Sequence, residues 1–380
     1  MRYVLGIDGG GSKVACLAAD ETGRLLGYGQ GGPVNTNYVL RSEAVVALRR
    51  AIRTALEQAG LRQQAYGEQV ETISLSTCIS APMVPDAVAE VTRELGIGRV
   101  VRAAEGETTR WAARFWVAGH VGLTVDAGTG SIARGWARDG REAGAGGWGA
   151  TLGDEGSGHW IGMQAMIAVL QAHDGRIDKT MLADAVLAHL GMPDVLEMVF
   201  QVSQGLVRTA DASQVKLAPD SGAAGCELAE TAVGGLFFRQ HAAHGPLRRH
   251  EVATLCPVVA RVTRQGDWKA IEILRQAGYE LGRLGAAIVR RLDMQEETFV
   301  VVPFGGVFRA GELVLSPFRE TILASAPRAE VVRPRFEPVV GAVLLALHEM
   351  GVAIDERVTA CIEQSAACFA NFIDGGLLTQ

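Results

Sequence analysis

The sequence predicts an α/β fold made of two related halves, and three observations carry that reading. One plan occurs twice: an apolar strand, an aspartate, a glycine-rich turn, a second strand and an Asp-to-Gly turn, over residues 3–23 and again over residues 121–140. Strand-length apolar runs alternate with longer stretches of helical period, the pattern of a sheet covered by helices. The 380 residues exceed one ordinary domain, and each half is long enough to bury a core of its own.

In the first half, Tyr3 to Ile7 is a strand ended by Asp8-Gly9-Gly10-Gly11-Ser12-Lys13, and Val14 to Ala19 is the next. Asp20 to Gly23 has turn chemistry and leads into a third strand, Arg24 to Gly29, in a meander. The loop from Gly31 to Asn37 is rich in amide side chains. Ser42 to Ala59 is an amphipathic helix with Val45, Leu48, Ile52, Ala55 and Leu56 on one face, Ser42 as candidate N-cap and Gly60 as its stop. Val70 to Ser76 and Val100 to Ala104 are further strands, the second followed by Glu105-Gly106-Glu107 and a helix from Thr108 to Val117.

In the second half, Val121 to Val125 and Ile132 to Ala137 flank the turn Asp126-Ala127-Gly128-Thr129-Gly130-Ser131. The stretch GAGGWGATLGDEGSGHWIG, Gly144 to Gly162, then places eight glycines among nineteen residues. Such a backbone takes positive φ and lets a ligand approach closely. It reads as a loop inside a domain, because Trp148, Asp154, Glu155 and Ser157 supply stacking and hydrogen-bonding groups and the largely apolar Met163 to Leu170 follows. Helices are expected over 164–172, 179–190, 194–201, 252–263 and 268–292, around an irregular stretch near 203–250 whose HAAHGPLRRH run reads as a solvated basic segment. A strand over 298–302 enters a third glycine turn, Pro303 to Phe308, open to a flat base against its backbone. A short strand over 330–333, a buried helix over 339–350 and a helical tail from Asp355 close the chain.

Composition narrows the function classes. A hydrophobic content of 48%, a charged content of 21% and a net charge of -6 argue against a general polyanion-binding surface, so no nucleic-acid partner is expected. No uninterrupted apolar run approaches the roughly 20 residues that span a bilayer, and the start of the chain lacks the pattern of a secretory signal. No membrane partner and a cytoplasmic location are therefore expected. Cys16, Cys78, Cys226, Cys256, Cys361 and Cys368 form no CxxC pair, and the histidines form no HxxxH or HExxH spacing. Reduced thiols fit this better than a disulfide frame, a zinc site or an iron–sulfur cluster.

The repeated turns carry the chemistry. Backbone N–H groups of a glycine turn converge on phosphate oxygens, with Ser12, Lys13 and Thr129 adding side-chain donors. Asp8 and Asp126 stand where a hydrated magnesium would neutralise nucleotide phosphates; the competing reading makes each a turn-initiating residue. The acids after Ala104 lie at the carboxyl end of a strand, where ligands of α/β sheets bind, or else are solvated loop acids.

Together these residues resemble the N-acetylglucosamine kinase family and its BadF/BadG-type ATPase relatives, in the actin, heat-shock ATPase and hexokinase superfamily. The likeness runs from Gly6 to about Gly351, is poor over 203–250, which looks like an enlarged insertion, and rests on DGGGSK, AGTGS, GGWGxxxGDEGSGxWIG and FGGVF in that order. It implies two actin-like (ribonuclease H-like) domains with mixed five-stranded sheets, residues 1–118, which a C-terminal helix would complete, and residues 119–380, closing over a cleft for ATP and sugar. By the same resemblance Gly9, Gly10, Gly11, Ser12 and Lys13 form the first phosphate loop and Gly128, Thr129, Gly130 and Ser131 the second. Gly305 and Gly306 form the adenosine-side turn, and Asn37, Trp148, Asp154, Glu155 and the backbone near Gly158 form the sugar pocket. A homodimer is implied as well.

Two positions depart from the family pattern. Its catalytic Asp lies in an N-D-A or T-D-A stretch, where this chain reads Ala104-Glu105-Gly106-Glu107; this puts Glu105 at the base position, with Glu107 as the alternative. The extra methylene requires the carboxylate to be repositioned to reach a hydroxyl. Asp126 replaces a small or hydroxyl-bearing residue and is expected to join Asp8 around magnesium. The activity implied is ATP-dependent phosphorylation of an N-acetylglucosamine or glucosamine hydroxyl. The alternatives are a catalytically impaired sugar or nucleotide sensor, suggested by Glu105 and Asp126, and an ATPase that activates a partner enzyme, a branch whose cluster cysteines have no matching pair here.

Overall fold

The computed structural model describes residues 2–61, 70–77, 83–104, 106–114, 120–207 and 247–369. Among these, the strands form two five-stranded sheets of one topology. The first contains β1 (Tyr3–Gly9), β2 (Val14–Asp20), β3 (Leu25–Gly31), β4 (Val70–Thr77) and β5 (Val100–Ala103) in the order β3-β2-β1-β4-β5. The second contains β6 (Val121–Ala127), β7 (Ser131–Trp136), β8 (Glu142–Gly146), β9 (Val300–Phe304) and β10 (Glu330–Val331) in the order β10-β9-β6-β7-β8. In each, the first three strands form an antiparallel meander and the last two run parallel to the first. Asp8 and Asp126 hold the same place, one residue before the end of β1 and β6, paired across the meander with Ala15 and Ile132.

One strand corrects the sequence reading. Gly144 to Gly146 belong to β8, not to the glycine loop, with Arg134 paired to Gly144 and Ile132 to Gly146. The segment EAGAG has no β-branched or aromatic residue, so its strand character comes from the neighbouring ladder rather than from propensity.

Helix α1 (Arg41–Gln58) covers one face of the first sheet together with α2 (Met83–Glu94). Its N-cap position is Leu40, whose N–H donates to Glu43 Oε2 at 3.1 Å; Ser42 lies inside the first turn and is not the cap. Glu43 reaching back makes the one half of a capping box that the sequence allows. The approach of α1 to β3 is unusually close. A Cβ built on Gly27, Gly29 or Gly31 would lie 2.1, 1.9 and 2.1 Å from the carbonyl oxygens of Ala55, Ala51 and Ala47. A period of two along the strand thus meets a period of four along the helix, with no side chain between.

The other face of the first sheet is covered from the far end of the chain. Val339, Val340, Val343 and Leu344 of α11 (Pro338–Glu349) and Val358 and Ile362 of α12 (Glu356–Ala366) pack with Val4, Leu17 and Leu25. Helix α3 (Glu107–Arg114) sits between α11 and the second sheet: a Cβ on Gly341 would be 1.9 Å from the Thr108 carbonyl oxygen, while Ala112 and Ala113 pack on Val121, Val300 and Phe304.

The remaining helices bury the large core of the second half. They are α4 (Gly158–His173), α5 (Leu182–Leu190), α6 (Val195–Val207), α7 (Arg249–Ala253), α8 (Leu255–Thr263), α9 (Trp268–Arg291) and α10 (Glu312–Ser325). Helix α10 was not expected from the sequence, and Pro317 lies inside it. It packs against a glycine stripe of α9, where a Cβ on Gly278 would be 2.1 Å from the Val314 carbonyl oxygen. The thiols of Cys16 and Cys256 are free and buried, and burial alone pushes Cys256 up to about 12. Among the described residues no single helix is long and apolar enough to cross a membrane.

Candidate active site

The two glycine turns of the repeat meet. After β1, Gly10 N–H donates to the Lys13 carbonyl at 2.9 Å; after β6, Gly128 N–H donates to the Gly130 carbonyl at 2.9 Å. The Ser12 and Thr129 hydroxyls are hydrogen-bonded to each other across 117 positions of sequence. A Cβ on Gly11 would stand 3.2 Å from Thr129 Cβ, so glycine there permits the close approach.

The third glycine turn is tied to the first by a carboxylate. Glu337, the N-cap residue of α11, accepts from Lys13 Nζ at 3.1 Å through Oε2 and from Arg309 through Oε1. Arg309 lies in the 3₁₀ turn Gly306–Ala310 that follows Gly305. Gly305 has φ +102°, and a Cβ on it would fall 2.3 Å from the Ala127 carbonyl oxygen at the end of β6. Gly306 faces open space.

Beyond β8, the loop of residues 147–157 hands the chain to α4, which begins at Gly158, ahead of the expected Gln164. Ser157 caps it by accepting from Trp160 N–H at 3.1 Å. Gly158 N–H donates to the Gly128 carbonyl at 2.8 Å and His159 N–H to the Thr129 carbonyl at 3.3 Å, so the helix start is pinned to the second turn. Asp154 has φ +60° and is only 2% exposed. Its carboxylate accepts from Ser131 N–H at 3.3 Å and pairs with Arg249, while the Glu155 carbonyl accepts from Ser131 Oγ at 2.8 Å. Burial pushes the Asp154 carboxyl up, with the Arg249 charge pulling against it. Burial, and then the same Arg249 charge, brings the His159 imidazole down to about 4, so it is neutral at pH 7. Asp154 is thus engaged within the protein, and Trp148, 77% exposed, stands at the surface of the loop.

The amide-rich loop of the first half reaches the same place through a tyrosine. Buried Asn35 accepts from Asn37 N–H at 3.0 Å, an Asx turn that leaves Asn37 exposed. Tyr38 lies with its ring centroid 4.3 Å from the Arg249 guanidinium carbon, and its hydroxyl is 3.0 Å from where a Cβ on Gly149 would be. Nearby, Arg248 donates to Glu43 of α1 at 3.0 Å.

Glu105 lies outside the described residues. Glu107, the first residue of α3, accepts the Ala104 N–H at 2.8 Å, which ties the helix start to the end of β5. Gly106 between them has φ +79°, and a Cβ there would stand 2.8 Å from Arg134 Cγ of β7. Among the described residues no three His, Cys, Asp or Glu side chains gather as a metal cage. Asp8 and Asp126, one per sheet beside the turns, match an ion that keeps most of its waters and takes only one or two carboxylates, as magnesium does.

Residue patterns alone missed Tyr38, His159, Arg309, Glu337 and Arg249. The last contradicts the reading of HAAHGPLRRH as solvated, for the Arg249 side chain is 11% exposed. No local signal marks it, because its neighbours come from the second glycine turn, the glycine loop and the first half.

The sequence profile described as the BadF/BadG/BcrA/BcrD ATPase family matches residues 5–346. The chain is 27% identical over 352 residues to the N-acetylmuramic acid/N-acetylglucosamine kinase of Clostridium acetobutylicum, covering 92% of this chain and 99% of that protein. It is 24% identical over 355 residues to the N-acetyl-D-glucosamine kinase of Dictyostelium discoideum, covering 90% and 97%. A candidate N-acetylglucosamine kinase from Chromobacterium violaceum superposes at TM-score 0.63 with 26% identity, covering 91% of this chain and 99% of that one. A ROK family glucokinase from Streptomyces griseus, crystallised with glucose and AMPPNP, superposes at 0.51 with 18% identity, covering 91% and 99%.

Proposed function

Because the chain belongs to the BadF/BadG/BcrA/BcrD ATPase family, we propose that it is a sugar kinase, transferring the terminal phosphoryl group of ATP to a hydroxyl of N-acetylglucosamine or glucosamine. The observation that carries the proposal is the contact of two glycine turns from equivalent ends of two equivalent sheets, Ser12 against Thr129. Phosphoryl transfer asks chiefly for positioning and charge neutralisation, which such a pair of turns supplies.

In this reading residues 9–13 and 128–131 hold the phosphates, Gly305 and Gly306 the adenosine, and Asn37, Trp148, Glu155 and the Gly158 backbone the sugar, with Asp154 shaping the loop from behind. The sugar hydroxyl oxygen attacks the γ-phosphorus, the bond to the β–γ bridging oxygen breaks, ADP leaves, and the hydroxyl proton passes to a carboxylate. Glu105 is the base we assign, since Glu107 is already committed to the Ala104 N–H. Magnesium, held through water by Asp8 and Asp126, would neutralise charge on the phosphates when bound. The proposal also takes the first domain as residues 1–118 completed by the C-terminal helices, the second from 119 onward, and the enzyme as a cytoplasmic homodimer, for which sedimentation should give the mass of two chains.

The test is ADP release with N-acetylglucosamine, glucosamine, N-acetylmannosamine and glucose. Amino-sugar-stimulated release that Glu105→Ala abolishes, with nucleotide binding retained, is the expected result. Sugar-independent release or none rejects the kinase reading, and full turnover by the variant rejects the base.

A further inference from the structure

Counted from Asp8 and Asp126, the repeat sets Lys13 of the first turn against Ser131 of the second. The second turn therefore lacks the cation of the first in its own sequence. The fold brings one from elsewhere. Arg249, the first residue of α7, lies over the second turn, its Nη2 2.5 Å from where a Cβ on Gly130 would be, so only glycine leaves it room. The same Nη2 donates to Asp154, and the Tyr38 ring lies beside the guanidinium. Its Nε–H is buried and has no acceptor among the described residues.

We propose that Arg249 is a phosphate-binding residue, contacting the terminal phosphate of ATP at the second glycine turn and supplying there the charge that Lys13 supplies at the first. The inference rests on the kinase reading of the site. A buried ion pair kept for stability alone is generally replaceable by apolar residues of similar volume. A guanidinium serves two anions at once, because its planar fork offers five donors and Asp154 needs only part of them. Tyr38 comes from the first half, so the charge is oriented where the halves touch.

The experiment titrates fluorescent N-methylanthraniloyl ATP and ADP into wild-type protein, Arg249→Gln and Arg249→Lys without sugar, with thermal melts to verify folding. Arg249→Gln should weaken ATP by roughly tenfold or more, the size of one charge-assisted hydrogen bond, and ADP by clearly less, with partial recovery in Arg249→Lys. Equal losses for ATP and ADP, or none, overturn the inference. If Arg249→Gln does not fold, the double variant Asp154→Asn with Arg249→Gln removes both buried charges together and is judged by the same outcomes. Wild-type protein that binds no nucleotide overturns the proposed function and this inference together; binding with unaltered ATP-over-ADP preference in the variants overturns this inference alone.

Discussion

His159 refuses a proton that its unfolded counterpart accepts, and that difference is measurable. Its pKa falls from 6.5 to about 4 through burial first and the Arg249 charge second. Between those values the unfolded chain binds more protons than the folded one, so stability present above pH 6.5 is lost as the pH drops toward 4. Asp154 works in the opposite sense, because its raised carboxyl makes the folded state the readier proton acceptor. Comparing wild type with His159→Gln cancels the Asp154 contribution: from pH 7 to 4.5 the wild-type melting temperature should fall further than the variant's, and parallel curves would refute the assignment. Both groups owe their shifts to a burial that residue patterns do not announce. Asp154 was legible as a site residue from its place in GDEGSG, but not its pairing, since Arg249 lies 95 positions away.

The β3–α1 contact turns a sequence of weak strand formers into a constraint. Glycine at 29 leaves no space at all for a methyl group, with a Cβ 1.9 Å from the Ala51 carbonyl oxygen, whereas at Gly32 the nearest heavy atom would be 4.0 Å away. Overpacking of this kind costs about 1–3 kcal/mol, so Gly29→Ala should lose at least that much in urea unfolding. Gly32→Ala should stay within about 0.5 kcal/mol, as surface substitutions usually do. Equal stability of the two variants would sink the argument. The same closeness explains which elements could be foreseen. The repeated strand, aspartate and glycine turn were legible because their pattern is local. Strand β8 was not, since EAGAG is held by its ladder; nor was the start of α4, since Gly158 and His159 are fixed by carbonyls of another turn; nor α10, since Pro317 masks its helical period.

At the scale of the molecule, Glu337 links what the repeat separates. It joins Lys13 of the first turn to Arg309 of the third, with its own side chain 17% exposed and both cations more open. These half-exposed pairs are worth little to stability, about 0–1 kcal/mol, but they occupy a cation beside the phosphate turn. Glu337→Gln should therefore lower the melting temperature of the free protein slightly while tightening ATP binding; weaker ATP binding in a folded variant would show that Glu337 aids rather than competes. The equality of the two sheets was readable from the turns, but the return of the last helices to the first sheet rested on the resemblance alone. That return has a consequence for synthesis. Strands β1 to β3 leave the ribosome early, yet Val4, Leu17 and Leu25 find their partners only when Val339 to Leu347 follow. At about 5–20 residues per second, one face of the first sheet waits roughly 15–60 s with its apolar side chains uncovered. The first half thus finishes last, and a chain cut short before α11 would strand a nearly complete protein with its oldest surface still bare.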